Sequence, residues 1–409
     1  MRNCNTLLDV INNRLCIGCG ACTHILGSDV AIMIDYPEEG LRPALLRDLT
    51  PEENKKSLKV CPGICVPAQV NKISVDPLVG PVVKAWIGHA ANQDVRRIGS
   101  SGGIITAIST YCLENDLIDY VAHTGMDAAE PWKNCNVISQ SSVEILQKAG
   151  SRYAPSSPCE HFSVIRENKK KYVFVGKPCD VAALALTIKQ QPELLECIPL
   201  VLSFFCAGVP ATKSAFDLVN DFMDGRMENL QEVHYRGNGW PGEFRIKTKD
   251  LQNYNLYSYA ESWHILQASR GLRCRLCADG MGDLADIACG DAWHLYKHDG
   301  NLGLSIVVAR TKKGCSIVED AIKDGYLVLR EIKKDEILRS QGTDSGIINR
   351  RCAIWGRLFV LKLLGIPVTR FKGVPLRKAW KQLDLRTRLR IIIGTVVRVI
   401  KYGWNKPSH

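Results

Sequence analysis

The run CIGCGAC constrains this chain more than any other stretch, because Cys16, Cys19 and Cys22 stand with two residues between neighbours. That spacing lets three thiolates reach three corners of one iron–sulfur cubane, while Gly18 and Gly20 let the backbone wrap close and turn N–H groups toward the sulfides. Bacterial ferredoxin runs place a further cysteine before a proline four positions on, but Ile25, Leu26 and Gly27 occupy that neighbourhood here. The fourth ligand therefore comes from elsewhere. CPGIC offers Cys61 and Cys65; Cys61 is preferred because Pro62 imitates the cysteine–proline context, and Cys65 is kept as the alternative.

A second set is spread through the later sequence. CRLC supplies Cys274 and Cys277, again at metal-site spacing. KKYVFVGKPCD carries Cys179 and IPLVLSFFCAGVP carries Cys206, each just past the C-terminal end of an apolar strand, where open α/β sheets place their chemistry. Together they make a tetrathiolate set for a second 4Fe–4S cluster, with zinc as the competing occupant and Cys289 as the competing ligand. Cys112 falls on an apolar helix pattern and reads as a packed small side chain, as do the isolated Cys4, Cys135, Cys159, Cys197, Cys315 and Cys352.

Seventeen cysteines in 409 residues is an odd number in a long chain, which argues against the disulfide framework of a small secreted scaffold. The start, MRNCNTLLDVIN, has one basic residue and no long apolar core, and so points to the cytoplasm. The net charge of +11 is uneven: residues 370–409 hold eleven Lys and Arg against Asp384 alone. Such a tail attracts nucleic acid, an anionic membrane surface or an acidic protein. No basic and aromatic interleaving and no paired-finger histidines are present, so no specific nucleic-acid partner is expected, and a metal-stabilised nucleic-acid binder is the weakest reading. AIWGRLFVLKLLGIP and LRTRLRIIIGTVVRVIKYGW both lack the unbroken apolar length of a spanning helix. A helix packed on the protein or a partner is expected, with a peripheral helix at the inner face of the membrane as the alternative.

The organisation expected is mixed α/β: a ferredoxin-like iron–sulfur module over residues 1–75, an α/β domain with the second cluster over 76–345, and a basic helical tail over 346–409. VVKAWIGHA reads as a strand, IITAISTYCLEN as a helix ending near Asn115, and DYVAHTG as the next strand. Between the first two, Ser100, Ser101, Gly102 and Gly103 stand at a helix N-terminus whose orphan N–H groups suit a phosphate or a flavin pyrimidine oxygen. EVHYRGNGWPGEFRIKTK reads as a hairpin region. His89, His234 and His264 could move protons, though each alone reads more simply as a surface or satisfied core histidine.

With these segments in hand, the chain resembles the beta-subunit family of coenzyme F420 hydrogenases and dehydrogenases, to which 7-hydroxymethyl chlorophyll a reductase is related. The landmarks, in order, are CIGCGAC, GSSGG at 99–103, GSRYAPS at 150–156, GKPCD at 176–180, FCAG at 205–208, and CRLCAD followed by ADIACGD at 285–291. The resemblance implies a flavoprotein that binds FAD in the α/β domain and passes electrons between two 4Fe–4S clusters and an organic donor or acceptor. Carried onto this sequence, it gives Ser101, Gly102, Gly103, Ser151, Arg152 and Tyr153 to the flavin, with Lys177 and Pro178 beside it. Asp279, Asp286 and Asp291 would organise the second-cluster region. A ferredoxin-like carrier or F420 is the implied redox partner, and bacterial relatives are encountered beside surface polysaccharide assembly. Lys177, Ala207 and Arg152 stand where the family commonly has threonine, histidine and lysine, so the substrate pocket is expected to differ from deazaflavin-binding members. A non-catalytic electron-transfer subunit is the competing function.

Overall fold

The computed structural model describes residues 4–69, 73–296, 302–342 and 346–406. The outermost three residues of the expected N-terminal module and of the tail, and the boundary residue 345, lie outside the described residues.

An eight-stranded mixed sheet forms the centre, in the spatial order Leu327–Glu331, Lys84–Ala90, Ser305–Ala309, Ile287–Asp291, Leu200–Phe204, Tyr172–Gly176, Tyr120–Met126, Asn134–Ser139. Leu200–Phe204 runs parallel to both neighbours, with Leu200 opposite Val173 and Leu202 opposite Ile287. The sequence explains the placement: YVFVG and LVLSF are near-continuous apolar runs, as expected of parallel strands covered on both faces. Val173 and Phe174 are fully buried. Outer strands pair antiparallel, including Ser305–Ala309 with Lys84–Ala90 and Tyr120–Met126 with Asn134–Ser139.

Two helices grow directly out of this sheet. Ile104–Glu114 buries Ile104, Ala107, Ile108, Tyr111 and Cys112 on one 3.6-period face, against Trp86, Val121, Val173 and Leu202. Its cap, Gly103, has φ +74°, and a Cβ there would stand 2.6 Å from the Val95 carbonyl, so only glycine closes this turn cleanly. Pro178–Ile188 starts with proline in its first turn, and the Asp180 carboxylate accepts the Lys177 N–H at 3.0 Å. This puts Cys179 in the first turn of a helix, while Cys206 follows the adjacent parallel strand.

The N-terminal segment, a hairpin of Ala31–Tyr36 with Gly40–Leu45 and short helices, shares its core with the sheet domain: Cys19, Ala21 and Val60 pack with Phe162, Phe174 and Leu184. The tail is likewise fastened. Arg370–Phe371 pairs in parallel with Cys65–Val66, and Ile354, Leu358, Val399 and Trp404 pack on Leu272 and Leu276 beside CRLC. The expected hairpin is present as Leu230–His234 with Glu243–Thr248, and a third strand, Asn253–Ser258, extends it. NYNLYS alternates polar and apolar only over its first four residues, too short a run to announce that strand. Among the described residues no helix is long and apolar enough to cross a membrane.

Candidate functional site

Eight thiols fall into two groups. Burial pushes the Cys22 thiol well above its usual range, and the charges of Cys19, Cys16 and Cys61 add to the push. Burial, then Cys16 and Cys19, raise Cys61 to about 12. Such mutual repulsion operates at close range, so Cys61 joins the triplet in space. Cys65 Sγ donates to the Val66 carbonyl at 3.7 Å. Inside the triplet the Gly18 N–H donates to Cys16 Sγ at 3.4 Å, and a Cβ on Gly18 would stand 2.5 Å from the Leu41 carbonyl.

The second group forms around Cys206, raised to about 12 by burial and then by Cys274 and Cys277, against the pull of Arg350. Burial and Asp180 raise Cys179 against the pull of Lys177, and Cys206 and Cys277 add to the rise. Cys289, whose carbonyl accepts the Phe205 N–H at 2.7 Å, is pushed to about 12 by burial alone. Among the described residues no three His, Cys, Asp or Glu side chains converge tightly enough for a single metal ion. Thiolates around one zinc stand about 4 Å apart; cubane corners hold them wider. All-thiol sets without histidine or carboxylate fit a cluster by donor chemistry.

Beside the second group lies a cleft of about 300 Å3. Ser100, Ser101, Gly103, Ser151, Arg152, Tyr153 and Lys177 line it, together with Cys206 and Cys289. Gly102 does not. Its N–H donates to Ser305 Oγ at 2.8 Å and its carbonyl accepts from Ala90 at 2.7 Å, so it ties the turn to the sheet. Ser100 Oγ accepts the Ser151 N–H and joins the two loops. Arg152 is a brace in the wall, with its guanidinium donating to Asn134 Oδ1 and to the carbonyls of Val233, Pro131 and Lys133.

Lys177 is buried, donates to Ser156 Oγ at 2.8 Å and lies 2.7 Å from Asp180. Burial opposes its charge, but Asp180, Cys179 and Cys206 hold the ammonium above its ordinary value. Asp180 Oδ1 and Ser109 Oγ are buried, belong to cleft-lining residues and lack a hydrogen-bond partner among the described residues. Buried polar atoms of this kind are rare in folded proteins and mark a place for a polar ligand.

Of the three expected aspartates only Asp279 adjoins the second thiol group, through its carbonyl, which accepts from Cys277 Sγ at 3.1 Å. Asp286 is a strut within the sheet, taking the Val201 N–H at 2.9 Å and the Thr311 hydroxyl at 2.7 Å. Asp291 lines the cleft, where it pairs with buried Arg236 at 2.7 Å and accepts Trp240 Nε1 at 2.8 Å. The Arg236 guanidinium lies 4.5 Å from the Tyr259 ring centre and 5.3 Å from that of Trp293. This cationic and aromatic wall was missed because RGNGW carries only turn signals. His89, His234 and His264 do not line the cleft; His123 does, its imidazole lowered to about 4 by burial and then by Lys148.

Models of the coenzyme F420 hydrogenase/dehydrogenase beta subunit match residues 85–162 with their N-terminal part and 169–335 with their C-terminal part, more than half of the chain. The chain belongs to this beta-subunit family. Its second thiol group falls inside the matched region, and Cys16, Cys19, Cys22 and Cys61 precede it. Among family relatives, the coenzyme F420 hydrogenase subunit beta of Methanosarcina barkeri is 23% identical, over 66% of this chain and 93% of that protein. The corresponding subunit of Methanococcus voltae is 24% identical over 60% and 82%. Coenzyme F420-dependent sulfite reductase of Methanocaldococcus jannaschii is 22% identical over 84% of this chain, which spans only 52% of that enzyme. A chain of the solved F420-reducing NiFe hydrogenase complex from M. barkeri shares the fold, with a TM-score of 0.53 over 70% of this chain and 96% of its own, at 22% identity.

Proposed function

We propose that this beta-subunit relative is an iron–sulfur flavoprotein oxidoreductase. Cys16, Cys19, Cys22 and Cys61 hold one 4Fe–4S cluster, Cys179, Cys206, Cys274 and Cys277 hold a second, and the cleft takes FAD. One observation carries the reading: Cys206 belongs to a thiol quartet and also lines the cleft that gathers the GSSGG and GSRYAPS loops. Bound there, a flavin exchanges two electrons with a substrate and single electrons with a cluster.

The chain's own part is positional and electrostatic. Ser151 presents its hydroxyl, Ser100 and Ser101, whose own hydroxyls hold the Ser151 N–H and the Leu304 carbonyl, present loop backbone, Lys177 keeps a positive charge beside Asp180, and the Arg236–Asp291 pair fixes the aromatic wall. Partners of the proposed reaction are a one-electron carrier of the ferredoxin type or F420, the cofactor named in the relatives, and an organic substrate. A roomy cleft beside the thiols favours an enzyme over a pure electron conduit.

Anaerobic purification followed by iron, acid-labile sulfide, zinc and released-flavin quantification tests this. About eight irons and eight sulfides with one FAD per chain are expected. Zinc without flavin overturns the proposal.

A further inference from the structure

The C-terminal helix Leu385–Tyr402 is two-faced in an unusual sense, because the side turned away from the protein is also apolar. Thr395 and Val399 are buried, and Val399 packs with Leu272, Leu276 and Trp404. On the outside, Leu385 is 70% exposed, Ile393 63% and Ile400 77%, joined by exposed Leu389, Val396 and Val397. At 100° per residue these six occupy one continuous stripe about 120° wide. Contiguous exposed aliphatic surface of this kind on a folded chain marks an interaction face.

The charges along the stripe choose the occupant. Arg386 stands within the arc of the stripe at the first turn, Arg390 and Lys401 follow one margin, Asp384 serves only as the N-cap, and no acidic residue lies within the helix. None of these three basic residues takes part in an ion pair among the described residues. A second copy of the chain docking through the same face would bring like charges together, which disfavours it. An aliphatic stripe edged by cations matches a surface with acyl chains below and negative headgroups above. The helix does not qualify as a crossing segment.

We propose that the helix Leu385–Tyr402 docks the protein flat on an anionic lipid bilayer, with Leu389, Ile393 and Ile400 in the acyl boundary and Arg386, Arg390 and Lys401 on the headgroups. The inference is independent of the cofactor assignment.

Flotation of the full-length protein with phosphatidylglycerol-containing vesicles tests it, with pure phosphatidylcholine vesicles as the comparison. The protein is expected to float with the anionic vesicles and to be released by high salt. A double variant, Leu389→Glu with Ile393→Glu, is expected to weaken the association by at least about tenfold, since it removes two aliphatic anchors and adds repulsion. Val143→Glu, at an equally exposed site elsewhere, is expected to leave it unchanged. Both variants alter exposed side chains, and unchanged thermal unfolding shows that they fold. Absence of flotation, flotation indifferent to the double variant, or concentration-dependent dimerisation abolished by it would each overturn the proposal.

Discussion

Arg350 donates Nη2 to the carbonyl of Cys206 and Nη1 to that of Ala207, both at 2.6 Å. Arg270 reaches the same Ala207 carbonyl. Burial and then neighbouring arginines lower Arg270 and Arg357 to about 10, Arg350 being among the neighbours of each. These guanidiniums crowd together without a carboxylate salt bridge among the described residues. On the proposed assignment, an anionic cluster on Cys206 and its three companions would supply the missing counter-charge. Replacing Arg350 by Gln is therefore expected to make the second cluster harder to reduce by about 1–2 kcal/mol, while the first keeps its potential. Redox titration followed by electron paramagnetic resonance measures both.

Cys61 is raised by Cys16 and Cys19, in line with the preference that Pro62 gives it over Cys65. Cys61→Ser is expected to remove the first cluster, lowering the iron content from about eight to about four per chain. Cys65→Ser is expected to leave it near eight. Iron analysis of the two variants, purified anaerobically, decides between them.

His123 gives a pH dependence of stability. Burial, and then Lys148, lower it from the ordinary 6.5 to about 4 in the folded chain, so between these values the unfolded chain binds the extra proton. Stability on this account is complete above the unfolded pKa and falls as the pH drops toward the folded one. Wild type is expected to lose about 2 kcal/mol through His123 between pH 7.5 and pH 5, and His123→Gln to be spared that loss. Urea unfolding at the two pH values gives the comparison.

Asp291→Ala leaves the Arg236 charge buried without its carboxylate. A loss of about 3 kcal/mol in stability is expected, together with weaker flavin retention, because Tyr259 and Trp293 rest on that guanidinium. Thermal unfolding and released-flavin fluorescence report the two effects separately.

The chemistry of this chain is concentrated where residue type and spacing speak locally. CIGCGAC and CRLC announce thiol sites by spacing, and YVFVG and LVLSF announce buried parallel strands by unbroken apolar character. The strand-to-turn positions of Cys179 and Cys206 follow from those runs. What could not be read depends on packing between distant segments. Arg236 and Asp291 are separated by 55 positions, and neither has a neighbour pattern that marks it. Arg152 and Gly102 were legible as loop residues of the cleft region, but two of the partners that fix them, Val233 and Ser305, lie far along the chain. Asp286 and Asp291 stand close in sequence, yet one braces two strands and the other faces the cleft, because the strand Ile287–Asp291 carries the chain between those places.

The parallel pairing of Arg370–Phe371 with Cys65–Val66 has a consequence for biogenesis. Thr369 bonds the Gly63 carbonyl across 306 positions, inside the loop that also bears Cys61. While the polypeptide is emerging from the ribosome, that loop lacks this partner until residues 369–371 have been made. The loop around Cys61 therefore reaches its final form only after a segment 306 positions downstream has appeared, and a ribosome that stops before that segment leaves the loop unfinished.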